Sequence, residues 1–409
     1  MVKKKKNFKY WIGRIHLWLG LSSGLVVLIV SLTGCIFVFQ KEISELVYRD
    51  KLFVTPPANT QTLPVSTLLK NAQAAMGDSI VIRNFTAYKQ PDKAWEFMAF
   101  KGGDPKALTF YGSVAYYQSV HLNPYTGAIT GKTDYMKEFF ITVKYLHWSL
   151  LLNTPYGQPI VGYATLIFVV MLISGMILWW PKKWNRANRQ KSFRIKWNAN
   201  FKRKNYDLHN VLGFYTLIPA LLIALTGMVW AFKWWQATVY VAASGSTKAP
   251  EQVKVVSAKP ENFTPTGTDP LDIAYTDALK RMPDADRIAV LSPATPEAPI
   301  RINGYRGKET YHDRDELFFD QYSAQFLKRR NDAEKNAGEQ LIEANYDIHI
   351  GAIAGLPGKI LAFLASLICA SLPVTGFMVW WGRKFKEKKK RPSAVAGEAK
   401  LFIEEAVGV

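Results

Sequence analysis

Four of the six histidines in this 409-residue chain, His16, His147, His209 and His349, stand at matching places in two halves. Imidazoles repeated in this way are candidates for binding a metal or a metal-containing cofactor. His16 lies in Ile15-His16-Leu17-Trp18-Leu19-Gly20 and His209 in Leu208-His209-Asn210-Val211-Leu212-Gly213, and each is followed seventeen residues on by a Thr-Gly pair, Thr33-Gly34 or Thr226-Gly227. His147 precedes an apolar segment that ends in Ser174-Gly175 and Trp179-Trp180; His349 precedes one that ends in Thr375-Gly376 and Trp380-Trp381. The chain reads as a duplicated unit of helix, long insert, helix. The other two histidines, His121 and His312, fall in the inserts and read as exposed surface residues.

The elements that must position these residues are membrane spans. The composition is 49% hydrophobic and 13% aromatic, and the apolar residues gather into four runs, roughly 12–39, 158–181, 207–233 and 358–381. Each meets the length of about 20 predominantly apolar residues that a span requires. The net charge of +20 is concentrated: the residues before His16, the stretch 181–208 and the stretch 382–409 hold 24 Lys/Arg against 5 acids. With four spans those three segments share one face, and the positive-inside rule makes it the cytoplasmic one. Basicity is therefore topology, with some attraction to anionic membrane lipid, and nucleic acid is not an expected partner. Cys35 and Cys369 both fall in spans and no Cys-x-x-Cys-His occurs, which excludes covalently attached c-type haem. The apolar run near the N-terminus is too long for a secretory signal and reads as an uncleaved anchor.

The expected order is a basic leader with the first span (1–45), an insert on the outer side (46–136), an interfacial helix with the second span (137–184) and a cytoplasmic basic loop (185–205). A third span (206–235), a second insert (236–344), an interfacial segment with the fourth span (345–382) and a cytoplasmic tail (383–409) follow. Leu63–Met76 and Pro270–Met282 read as insert helices; Ile80–Tyr88, Trp95–Phe100, Tyr116–Leu122, Arg287–Leu291, Pro299–Gly304 and Glu316–Asp320 read as strands. Residues 243–266 read as a linker, and Leu401–Ala406 as a short amphipathic turn in a disordered tail. His147 cannot lie on one straight helix with Trp180, because that helix would be about 50 Å long against a hydrocarbon core of about 30 Å. A bend at Asn153–Pro159 must place it on an interfacial or dipping segment.

Topology sorts the histidines into a cytoplasmic-side pair, His16 with His209, and an outer pair, His147 with His349. A histidine at a membrane span is costly unless it faces the protein interior or finds a partner; each could simply bond a neighbouring helix. One member of each pair comes from each half, as expected if a planar ligand sits between the halves, and bis-histidine haem needs two imidazoles on facing elements. Zinc or copper would want a third or fourth ligand, and none is evident beside either pair. Asp207 and Asp347, each two residues before a histidine, are placed to orient or charge-balance it.

His-x3-Gly with Ser-x-Thr-Gly or its equivalent in spans one and three, the Gly-x-Pro bend, the Trp-Trp endings and the turn Asn123-Pro124-Tyr125-Thr126-Gly127 together resemble the PepSY-associated transmembrane proteins. That family includes the inner-membrane reductases of ferric-siderophore uptake. The resemblance implies an α-helical polytopic membrane protein of four transmembrane helices as two repeats, each with a periplasmic α/β PepSY-like insert. It further implies two b-type haems held by His16, His209, His147 and His349, and reduction of a ferric siderophore with release of Fe(II). The second insert lacks the Asp-Pro-x-Thr-Gly turn. No flavin or nicotinamide fingerprint occurs, so the electron donor is external, a quinol or a cytoplasmic reductase. The expected function is an inner-membrane dihaem oxidoreductase whose substrate sits between two outer domains, with Trp148 or Trp18 bridging the pairs. The rival is a non-enzymatic PepSY membrane protein that binds an envelope partner.

Overall fold

Asn7 caps the first long helix, its side chain accepting from the Tyr10 amide at 3.1 Å, and the helix then runs without interruption over Phe8–Phe37 (α1). The computed structural model describes residues 7–58, 61–250, 254–259, 267–307 and 310–385; Lys3–Lys6, part of 243–266 and Leu401–Ala406 lie outside them. Among these residues three helices are long and apolar enough to cross a membrane: α1, Thr154–Trp179 (α4 below) and Gly355–Lys384 (α8 below).

The third expected span is broken. Phe201–Tyr215 and Leu217–Ala231 (α5 below) meet at a bend of 65° and make a fourth span only if taken together. Pro219 supplies the reason, since it has no N–H for the Tyr215 carbonyl and its ring crowds that carbonyl. Just before the break, Leu208–Leu212 forms a wider π-helical turn that carries His209.

The other helices that position the site or pack on the sheet, in chain order, are Val65–Met76 (α2), Phe139–Ser149 (α3), Thr154–Trp179 (α4), Leu217–Ala231 (α5), Pro270–Arg281 (α6), Ala337–His349 (α7) and Gly355–Lys384 (α8). α1 packs on α4 and α8, and α5 packs on the same two, so the four close a ring in which α1 and α5 stand opposite. A Cβ on Gly162 of α4 would sit 2.8 Å from Ala231 of α5, so this crossing depends on the missing side chain. α3 lies against α1 and α7 against α5. α3 is separated from α4 by Leu150 and Leu151, both left-handed at φ 57° and 60°, whereas Gly351 and Gly355 serve the same turn before α8. The expected bend is thus present, a few residues earlier than placed.

The two inserts do not form separate domains. Their strands join in one eight-stranded antiparallel sheet of order β4-β3-β2-β1-β5-β6-β7-β8, with β1 (Asn84–Tyr88), β2 (Trp95–Gly102), β3 (Val114–Leu122) and β4 (Ile129–Asp134) from the first insert. The second contributes β5 (Arg287–Leu291), β6 (Ile300–Tyr305), β7 (Arg314–Phe319) and β8 (Phe326–Arg330). β1 pairs with β5 along its whole length, Phe85 opposite Val290, so no cleft separates the inserts. Alternation along the strands sends Phe85, Phe97, Val120, Val290, Ile302 and Leu317 to one face, where they bury against α2 and α6. The opposite face looks at the helical bundle.

Candidate functional site

Beneath the sheet lies a cavity of about 1130 Å³, walled by the sheet face above and by α1, α3, α4 and α5 below. It exceeds the usual range of small-molecule pockets, about 300–1,000 Å³. His147 and His349 line it, on α3 and α7. Their ring centres are 6.1 Å apart and the planes cross at 70°. The second pair, His16 of α1 and His209 of the π-turn, repeats the arrangement at 6.4 Å and 84°. The histidines paired by topology in the sequence are therefore those that face one another in space.

Each imidazole is held by a Ser/Thr-Gly pair of the antiparallel helix in its own half. His16 Nδ1 lies 2.8 Å from Ser174 Oγ, His147 Nδ1 3.2 Å from Thr33 Oγ1, His209 Nδ1 3.0 Å from Thr375 Oγ1 and His349 Nδ1 2.9 Å from Thr226 Oγ1. The hydroxyls spend their own protons on helix carbonyls: Thr33 on Ile29, Thr226 on Leu222, Thr375 on Ser371 and Ser174 on Met171. They can therefore only accept from the rings, and the Val30 carbonyl, 2.9 Å from His147 Nδ1, is likewise an acceptor. This network assigns the proton to Nδ1 and leaves the Nε2 lone pair of each ring free to ligate. The glycines make room, since a Cβ on Gly34, Gly175, Gly227 or Gly376 would stand 3.1–3.4 Å from the Cε1 of the histidine it faces.

Two imidazoles ligating one iron through bonds of about 2 Å place their ring centres roughly 6 Å apart. Both pairs have that separation, both present Nε2 without a hydrogen-bond partner among the described residues, and neither has a third donor. No cluster of three or more His, Cys, Asp or Glu occurs among the described residues. A planar group that supplies its own four equatorial ligands fits this donor set. Along α1, His16 and the Val30 carbonyl that holds His147 are fourteen residues apart, so the two pairs are about 21 Å apart along the helix axis. The outer pair thus dips into the bundle.

Several readings of the sequence need correcting here. His121 is not exposed: it is 4% accessible, on β3, with its Nδ1 unpartnered. His312 gives its Nδ1 to Asp347 at 2.5 Å. Asp207 and Asp347 orient loops instead of the paired histidines: Asp207 accepts from the Lys196 amide and Arg203, and Asp347 from the amides of Tyr311 and His312. Trp18 is 59% exposed on the outside of α1, and Trp148 sits beside Trp230 on the cavity wall. Among the insert aromatics, Tyr117, Tyr305 and Tyr311 line the cavity, while Trp95 is in the sheet core.

The sheet supplies the cavity with a polar roof that the sequence reading missed. Tyr135 donates to Glu96, Glu96 Oε1 is 3.9 Å from His121 Nε2, and Lys51 donates to Thr133 at 2.7 Å. Burial, reinforced by the Glu96 carboxylate, raises the phenol pKa values of Tyr117 and Tyr135, which keeps both as neutral donors. Burial lowers the pKa of His121. Also missed were Asn205 and Asn345, which donate to the carbonyls of Thr375 and Thr226, the two threonines that hold His209 and His349. The signal was there in the repeated pentapeptides Asn205-Tyr-Asp-Leu-His209 and Asn345-Tyr-Asp-Ile-His349.

Residues 13–383 match the family described as the PepSY-associated TM region. No curated protein matches the chain.

Proposed function

Because this chain belongs to the PepSY-associated TM family, we propose that it is a dihaem electron-transfer protein of the bacterial inner membrane that reduces a ferric siderophore on the periplasmic side. The observation that carries the proposal is the two imidazole couples, 6.4 and 6.1 Å between ring centres, each ring held through Nδ1 by a Ser/Thr hydroxyl. When bound, b-type haem would supply one-electron chemistry at iron. His16 with His209 would hold one group near the basic, cytoplasmic end, where a quinol or a cytoplasmic reductase delivers electrons. His147 with His349 would hold the other at the floor of the cavity. The Ser/Thr hydroxyls keep the ligating nitrogens deprotonated, and the apolar walls formed by Val27, Val30, Val161 and Phe168 exclude water below the polar roof. In this reading both termini are cytoplasmic and the sheet is periplasmic, and the siderophore is taken by the cavity beneath the sheet.

Optical spectra of the full chain purified from haem-replete membranes test this directly. Two non-covalent, six-coordinate haems per chain are expected. Protein that purifies folded without a Soret band would leave the membrane fold in place and favour the non-enzymatic reading.

A further inference from the structure

Three cations reach the cavity, and among the described residues none of them forms an ion pair. Arg287, at the start of β5, is 9% exposed. Its guanidinium donates to the Thr310 carbonyl at 3.0 Å and lies 4.5 Å from the ring centres of both Tyr305 and Tyr311. No carboxylate pairs with it among the described residues. Lys144 sits one turn before His147 on the same face of α3 and lines the cavity. Its ammonium has no carboxylate or hydrogen-bond acceptor among the described residues, only the Tyr145 ring at 5.6 Å. The third cation, Lys51, is engaged with Thr133. Of the two carboxylates that line the cavity, Glu96 accepts from the Tyr135 phenol, and Glu138 accepts from the Ile141 amide through one oxygen while its other oxygen is buried without a hydrogen-bond partner among the described residues.

A guanidinium taken out of water without a counter-charge is costly, and the usual remedy is an anion with good geometry. Elsewhere under the same sheet this remedy is present. Beneath β6–β8, Arg301 and Arg314 meet Glu316, and Arg314 and Lys335 meet Glu343 of α7. At the cavity the pattern is the opposite: Arg287 of the sheet and Lys144 of α3 line the volume that His147 and His349 also line, without an ion-pair partner among the described residues.

We infer that Lys144 and Arg287 form an anion-binding site in the cavity and that its ligand carries carboxylate groups. Carboxylate has two possible sources at this place: the propionates of a porphyrin held by His147 and His349, or an anionic ferric chelate of the hydroxycarboxylate class. The second source rests on the reductase reading, and the site itself does not. Two cations in one cavity discriminate between chelates by charge, so a neutral trihydroxamate complex gains nothing from them.

Gallium(III) chelates test the site without electron transfer, because gallium is not reduced under these conditions. Binding of gallium citrate and of a neutral gallium trihydroxamate to the full chain is read by tryptophan quenching, with haem content and haem release rate measured on the same samples. Lys144→Gln and Arg287→Met are the variants, and Arg287→Lys retains the charge. Gallium citrate binding weakened roughly tenfold to a hundredfold in the first two variants, restored in Arg287→Lys and accompanied by unchanged trihydroxamate binding, identifies the anionic chelate. Unchanged chelate binding with faster release of one haem identifies the propionates. Wild-type chelate binding and wild-type haem retention in Lys144→Gln and Arg287→Met together would overturn the site. A chain that carries no haem yet binds gallium citrate in a Lys144-dependent way would sink the reductase reading and keep the site.

Discussion

At the scale of single residues, the hydroxyl that accepts each Nδ1–H decides which nitrogen is free, so it should matter almost as much as the ring. Thr226→Val leaves His349 Nδ1 without its hydroxyl acceptor and should cost about 1–3 kcal/mol; under the proposed function, a haem held by the outer pair should then be lost more readily, and Thr226→Ser should restore it. Equal haem retention in the valine and serine variants would remove the hydroxyl from the argument. Under the same proposal, His209→Ala should lose one haem of two and leave the spectrum of the other intact. His121 offers a pH test. Burial holds its pKa below the ordinary value of 6.5, so the unfolded chain binds a proton there that the folded chain does not. The stability associated with the neutral ring is present above about pH 6.5 and is lost as pH falls from there toward the lowered folded value. His121→Gln should flatten that part of a pH-dependent melting curve, and an unchanged slope would show that other groups govern it.

At the scale of elements, the reciprocal contacts explain why the motif occurs four times. α1 brings His16 to the end of α4, and α3, leading into α4, brings His147 back to the end of α1. The second half does the same with His209 on α8 and His349 on α5. Two antiparallel helices thus each provide a ring to the other. Asp347 acts at this scale too, because its carboxylate ties the loop at Tyr311 and His312 to α7. Asp347→Ala leaves two amides without their acceptor and should destabilise the loop by about 1–3 kcal/mol. Hydrogen exchange at residues 310–313 should speed up while the haem spectrum stays as it was; a lost spectrum would place Asp347 in the ligand site itself.

At the scale of the whole molecule, the continuous sheet makes the two inserts one body that covers the bundle. The cavity is therefore walled by the sheet and the membrane helices together, under β1–β6. If the proposed function holds, protein reduced with dithionite is reoxidised by a ferric chelate, with Fe(II) trapped in equal measure. His349→Ala should slow that reoxidation far more than it weakens chelate binding. Reporters placed near Asn188 and after Lys390 should read cytoplasm, and one near Gly103 periplasm. Reoxidation at an unchanged rate in His349→Ala, or an inverted reporter, would refute the corresponding part of the reading.

Membrane helices and the four histidines were legible in the chain because both depend on local information: apolar runs of span length, clustered charge, and a spacing repeated between halves. The pairing of His16 with His209 and of His147 with His349 followed from topology alone. The crosswise hold of each ring on a Ser/Thr-Gly of another helix did not, although every residue of the motif had been noticed, because spacing along one helix says nothing about which neighbour it meets. The Pro219 break lay within an apolar run that hydropathy reads as continuous. The joining of β1 to β5 is a pairing between strands some two hundred residues apart, with no turn between them to mark it. His121, Lys144 and Arg287 look like ordinary polar residues of an insert or an interfacial helix. Only the closing of the sheet over the bundle buries Arg287, leaves it and Lys144 without an ion-pair partner among the described residues, and brings both to the cavity that His147 and His349 line.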